Sequence, residues 1–245
     1  MIHTEVLLQG SVQTNYMIHT SRGKFVFRLY KNRTKESVSF ERDLLIYLVE
    51  HSYPCPAPMK NTQGTYVGLY HHKPYMVFEF LEGHHVEEPN FEHWQQLVEY
   101  AARLQKVAQK FHSPYTPHRW NFDSSLCLKL AQTEVTKSNN ENSRRKLAWL
   151  VSELAALDLP STLPKGICHC DFRYSNVLFR DDLFVALLDF DDANYTYLQF
   201  DLVGLIEYWA WPSVDNILDV KKSPHGRQRV HAAPFTFFGG ATAFV

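Results

Sequence analysis

Between residues 166 and 192 the chain reads GICHCDFRYSNVLFRDDLFVALLDFDD, and three side chains in it have the types and spacing for chemistry. Asp171 follows His169-Cys170, Asn176 stands five residues further on, and Asp189 closes the second of two short apolar runs, 177–179 and 183–188. Arg180-Asp181-Asp182 reads as the turn between those runs, so two pairing strands place Asp171, Asn176 and Asp189 at ends where they converge. The chemistry that needs such a set is phosphoryl transfer. A carboxylate orients a nucleophilic hydroxyl and accepts its proton, a role that suits Asp171. Hard oxygen ligands hold Mg²⁺, which keeps few protein ligands and bridges nucleotide phosphates, a role that suits Asn176 and Asp189. Asp191, two residues past Asp189 on a strand-like backbone, is a further candidate metal or water-shell ligand.

Those residues need a scaffold. Strand patterns fall at 3–9, 15–20 and 24–30, separated by Gln9-Gly10-Ser11 and Ser21-Arg22-Gly23. A helix is predicted over about 35–50, with Phe40, Leu44, Leu45 and Leu48 on one face, Glu41 beside that stripe and Thr34 as N-cap. Tyr53-Pro54-Cys55-Pro56-Ala57-Pro58 has to be an extended connector, because proline restricts its own φ and that of the residue before it. Strand patterns return at 65–71 and 75–81. After Glu82-Gly83 the period becomes helical: Trp94, Leu97, Val98, Ala101 and Ala108, then Leu147, Leu150, Val151 and Leu154. The helix aromatics are expected in the core. Residues 136–145 read as a polar loop or helix connection, and 221–245 has neither helical nor clean strand periodicity. The expectation is an α+β fold of two lobes. Residues 1–82 form an antiparallel sheet with one helix, 83–245 form a mostly helical lobe, and a cleft lies between them.

Composition narrows the alternatives. Hydrophobic residues are 45% and charged residues 21% of the 245-residue chain, which is ordinary for a soluble globular enzyme. A net charge of -1 gives no bulk electrostatic case for nucleic acid or an anionic membrane. The first twenty residues lack the pattern of a signal peptide, and no apolar stretch approaches membrane-helix length. Four irregularly spaced cysteines make no secreted disulfide framework, so the cytoplasm is the default address. Cys168-His169-Cys170 invites a zinc reading, but thiolate sites use wider pairs and a second pair near them. No Gly-Lys-Ser/Thr run supports a P-loop.

On these motifs the chain resembles the aminoglycoside phosphotransferase family, which also contains choline kinases, methylthioribose kinases and type II homoserine kinases. The resemblance covers residues 5–212 and is sharpest at 166–211. It implies a protein-kinase-like fold, ATP and Mg²⁺ as cofactors, and a small-molecule hydroxyl as acceptor. It implies Asp171 as catalytic base, Asn176 and Asp189 as magnesium ligands, and structural positions for His169 and for Asp201, which opens a helix. Arg28 in Phe27-Arg28-Leu29-Tyr30 resembles the strand cation that contacts nucleotide phosphates, where many relatives carry Lys, and Glu41 resembles its helix partner. Ser11 lies in Gly10-Ser11-Val12-Gln13-Thr14-Asn15, where the family has a phosphate-covering hairpin. Glu79 and Leu81 belong to a segment resembling the hinge that meets adenine. Phe190-Asp191-Asp192-Ala193 is similar to homoserine-kinase-like members, so homoserine or a related amino alcohol is the expected acceptor, with Arg173 as a candidate cation for it. An aminoglycoside or choline-type acceptor would instead use Asp191, Asp192, Tyr195 and Tyr197. Asp189-Phe190-Asp191 departs from the Asp-Phe-Gly of protein kinases. The end departs more: beyond Trp211-Pro212 the chain does not resemble the family's further helices. A divergent terminus, a truncation that leaves an inactive nucleotide-binding protein, and a shifted reading frame all stay open.

Overall fold

The computed structural model describes residues 3–7, 13–121 and 123–210. By internal contacts the chain forms two compact units, one from Met1–Arg119 with Gly166–Val245 and the other from Trp120–Lys165. The larger unit opens with a mixed-length antiparallel sheet. Strands β1 (His3–Leu7), β2 (Thr14–Thr20) and β3 (Gly23–Leu29) form a meander, then β4 (Pro58–Met59), β5 (Gly68–Tyr70) and β6 (Lys73–Glu79) complete it. The order is β1-β2-β3-β6-β4, with β5 also on β6. Register runs Asn15↔Arg28 and Arg28↔Met76, so Arg28 sits mid-sheet between two partners. In β6 the residues Pro74, Met76 and Phe78 are buried, the period-2 signature of a strand with one face on the core.

Helix α1 (Lys35–Glu50) starts at Thr34, whose side chain accepts from the Ser37 N–H as the sequence pattern predicts. Its buried face carries Phe40, Leu44, Leu45 and Leu48, and Glu41 is on that face too. The core continues from Tyr30, Met76 and Phe78 through Leu44 and Leu48 to Leu97, Leu104, Phe179 and Leu187. The proline-rich connector is extended, contributes Pro58 to a short strand, and has Pro54 accepting from the Leu187 N–H at 3.0 Å.

Helix α2 (Phe91–Val107) begins with an Asn90 capping box and buries Trp94, Leu97, Ala101 and Leu104. The short strands β7 (Lys165–Cys168) and β10 (Asn194–Tyr197) pair with each other, as do β8 (Val177–Arg180) and β9 (Leu183–Leu187). The β8–β9 turn is made by Asp181 and Asp182, both at positive φ, which is the geometry a two-residue hairpin demands. Helix α5 (Phe200–Ala210) ends the described chain.

The smaller unit is a helix pair, α3 (Ser124–Ser138) and α4 (Glu141–Ala156). Much of the polar stretch predicted at 136–145 is helical. The break is confined to Asn139, left-handed at φ 40, and Asn140, which N-caps α4. The expectation that helix aromatics are core fails here: Trp149 is 63% exposed, and neither helix has a buried residue. A helical period fixes which residues share a face, not what covers that face. The atypical tail at 221–245 lies outside the described residues.

Candidate active site

The loop between β7 and β8 is built around a buried carboxylate. Asp201, in the first turn of α5 and fully buried, accepts from the His169 N–H at 3.0 Å and the Cys170 N–H at 2.8 Å. Burial raises the Asp201 pKa, while His169 and the two N–H bonds oppose that rise. Cys170 is held at φ 64, a left-handed conformation that costs about 1–2 kcal/mol for a residue with a Cβ. The His169 ring accepts from the Asp171 N–H through Nδ1 (3.3 Å) and donates through Nε2 to the Leu188 carbonyl (2.8 Å). One imidazole thus straps Asp171 to the residue before Asp189.

The Asp171 carboxylate is partly exposed. Asn176 Nδ2 donates to its Oδ2 at 2.8 Å and to its carbonyl at 2.9 Å. Arg173 grips it bidentately, Nε to Oδ1 at 2.9 Å and Nη2 to Oδ2 at 3.0 Å, while remaining 52% exposed. Asn176 spends its amino group on Asp171, which leaves its carbonyl oxygen as the hard donor. Its backbone carbonyl accepts from the Leu188 N–H at 2.7 Å, so Asn176 and Asp189 come from adjacent stretches of main chain.

From the sheet, Arg28 reaches Asp189, Nη1 to Oδ1 at 2.8 Å, and takes Asn15 Oδ1 on its Nε at 2.9 Å. Burial alone would lower the Arg28 pKa; Asp189, Tyr30, Glu41 and Asp191 outweigh it and raise it. Glu41 stands 3.7 Å from Arg28 Nη1, an ion-pair distance too long for a hydrogen bond. At 1% exposure its desolvation therefore wins over Arg28 and Arg119, and burial pushes the Glu41 carboxyl up to about 7. Burial, then the Glu41 charge, also raises the neighbouring Tyr30 phenol.

Asp189 itself is at φ 60, ψ 61 and leads into the 3₁₀ turn Phe190–Asp192. This corrects the strand-like backbone expected for Asp189 to Asp191. The Asp191 side chain turns to Arg33, with Nε to Oδ1 at 3.0 Å and Nη2 to Oδ2 at 3.1 Å, and Gln13 Nε2 donates to Oδ2 at 2.9 Å. Burial would raise the Asp191 pKa, but the Arg33 bonds, Gln13 and Arg119 hold its carboxyl below the usual range. Both Asp191 oxygens thus take bonds from Arg33, and Oδ2 takes one from Gln13 as well. Arg33 also reaches Asp192 at 2.6 Å.

A second buried arginine was not singled out by its sequence position. Arg119 donates to the Ala193 carbonyl at 2.9 Å, the Phe190 carbonyl at 3.3 Å and the Asp191 carbonyl, and to the Ser37 carbonyl and hydroxyl at 3.0 Å. Neither Arg33 nor Arg119 carries a local sign that separates it from a solvated loop arginine.

The other predicted positions are scattered. Glu79 is exposed at the end of β6, opposite Phe25. Leu81 is half-buried in the segment that leads to His84, whose backbone exchanges two 2.9 Å bonds with Phe179. Ser11 lies outside the described residues. Burial raises the pKa of both the Cys168 and Cys170 thiols, and β7 ends at Cys168, so the two do not alternate along one strand. Among the described residues no three His, Cys, Asp or Glu side chains gather into a metal group. The oxygen set of Asn176 and Asp189 fits Mg²⁺, which is usually held by one or two protein ligands with water and phosphate.

Comparison with known proteins gives a consistent result. The sequence profile of the phosphotransferase enzyme family matches residues 3–228. A homoserine kinase of Bartonella henselae is 28% identical over 84% of this chain and 64% of its own length, and one of Rhodospirillum rubrum is 29% identical over 89% and 68%. The chain thus spans about two thirds of the curated relatives it matches. Among solved structures, the amicoumacin kinase hAmiN in complex with AMP-PNP, Ca²⁺ and Ami superposes with a TM-score of 0.67 at 20% identity, over 95% of this chain and 70% of that one. A microcompartment-associated aminopropanol kinase gives 0.59 at 17% identity, over 84% and 69%. The kinase-like α+β fold predicted from the sequence is therefore the fold of this chain.

Proposed function

The chain belongs to the phosphotransferase enzyme family, and from that premise we propose that it transfers the γ-phosphate of Mg-ATP to a hydroxyl of a small molecule, with homoserine or a related amino alcohol as acceptor. The observation that carries the reading is the convergence of Asp171, Asn176, Arg28 and Asp189, linked by bonds of 2.8 Å and by the His169 strap. In this reading residues 1–82 are the nucleotide-binding part and 83–245 supply catalysis and the acceptor site. Arg28 contacts the α- and β-phosphates with Glu41 behind it, and the backbone at Glu79–Leu81 meets adenine. Asn176 and Asp189 hold Mg²⁺, which when bound neutralises charge on the transferring phosphate.

Asp171 orients the acceptor hydroxyl and takes its proton. Arg173 holds the Asp171 carboxylate until an acceptor enters. The carboxylate of homoserine competes for the guanidinium, so binding an anionic acceptor frees an Asp171 oxygen for the hydroxyl. This is what favours an acceptor with a carboxylate over a polycation, together with the homoserine kinase relatives. The exposed Tyr195 and the partly exposed Asp192 would serve choline-type or aminoglycoside acceptors instead.

The test is ADP release from Mg-ATP across homoserine, choline, methylthioribose and an aminoglycoside, with Asp171→Asn as control. Homoserine is expected to raise the rate, and Asp171→Asn to cut it by about 10²–10⁴ while ATP still binds. ATP binding with no acceptor response would leave a nucleotide-binding protein. No ATP binding by the folded chain would end the kinase reading.

A further inference from the structure

We infer that Arg33 is a positioning residue: its fork holds Asp191 and, through the Phe190–Asp192 turn, fixes where Asp189 presents its carboxylate. This rests on the reading of Asp189 as a cation ligand given above. Asp189 occupies a left-handed backbone conformation, which persists only where the surroundings over-determine it. The surroundings here are two buried guanidinium groups that divide the task. Arg119 holds the main chain of the turn through the Phe190, Asp191 and Ala193 carbonyls. Arg33, with its side chain 3% exposed, holds the side chains of Asp191 and Asp192 with three bonds between 2.6 and 3.1 Å.

Gln13 completes the arrangement. Its amide donates to Asp191 at 2.9 Å and to Asn32, next to Arg33, at 3.1 Å, and its carbonyl accepts from the Lys31 N–H at 2.8 Å. The turn after β9 is thus tied by side chains to the start of β2 and to the link between β3 and α1. A planar, bidentate contact fixes both distance and orientation of Asp191, which a point charge does not. Loss of the fork frees the turn to relax from the left-handed residue at its head, and Asp189 moves with it.

Arg33→Met, Asp191→Asn and the double variant test this, with Arg33→Lys in place of Arg33→Met should the latter not fold. The first readout is amide hydrogen exchange of the nucleotide-free chain over 188–193. Each single variant is expected to speed exchange there while exchange in α2 stays unchanged. The second is the Mg²⁺ concentration for half-maximal ADP release at saturating ATP. It is expected to rise about tenfold in each single variant, as when a partner behind a metal ligand is lost, with acceptor KM moved less than twofold. The double variant is expected to match the worse single, because the two act as one unit.

Unchanged exchange in Arg33→Met overturns the inference whether or not the chain turns over. So does a raised Mg²⁺ requirement in Asp191→Asn alone, which makes Asp191 a ligand in its own right. Exchange that changes with Arg33 in a chain without turnover on any acceptor keeps the positioning and sinks the kinase reading.

Discussion

At the scale of single residues, the chemistry turns on how charge is balanced where water is scarce. Glu41 is the clearest case. Its carboxyl is raised to about 7 in the folded chain against an ordinary value of 4.5, so between those values the folded state binds more protons than the unfolded one. Its stabilising contribution is present in full below 4.5 and is lost as pH rises through about 7, on the order of 3 kcal/mol in all. Thermal unfolding followed from pH 5 to 8 should show this decline in the native chain and a flatter profile in Glu41→Gln; parallel profiles would refute it. Residue-scale legibility was uneven for a physical reason. Asp171, Asn176 and Asp189 lie within one short stretch, and their spacing along two strands displays their convergence. Gln13 and Arg33 meet Asp191 across 178 and 158 positions of chain, and no local pattern encodes a contact of that span. The backbone from Asp189 to Asp191 was not legible because a residue two past a strand end looks like a strand residue until the backbone turns left-handed.

At the scale of elements, the pieces that carry the site were readable where one face is buried and opaque where none is. The period-2 pattern of β6 and the Thr34-capped stripe of α1 came through because the core selects apolar side chains at those positions. The pair α3 and α4 buries no residue, so its helical period said nothing about its surroundings. Close approach of elements is equally silent in a sequence. Gly204 in α5 lies so near the Phe172 carbonyl that an added Cβ would sit well inside contact with that oxygen and 3.0 Å from the carbonyl carbon. Helix propensity favours Gly204→Ala by up to about 1 kcal/mol, whereas forcing backbones apart costs about 1–3 kcal/mol. Because Phe172 follows Asp171, the variant should both lower Tm and slow turnover. A higher Tm with unaltered kcat would show that the two backbones are not held that close.

At the scale of the whole molecule, the site draws on residues from the first sheet to α5, so ligand occupancy should register in global stability. ATP with Mg²⁺ at about 100 times Kd adds about 2.7 kcal/mol, or roughly 5–10 °C in Tm for a chain of this size. ATP without Mg²⁺ should give less, and Asp189→Ala should abolish the difference; equal shifts with and without the metal would count against Asp189 as its ligand. None of the helices among the described residues is long and apolar enough to cross a membrane. The placement of β6 has a consequence for how the chain comes to be folded at all. It bonds to β3 along one edge and to β4 and β5 along the other, yet it is the last of the six strands to be synthesised. Until β6 has been synthesised, β3 carries an open edge and β4 lacks the strand it pairs with. A nascent chain paused before that point is the form most exposed to edge-to-edge association.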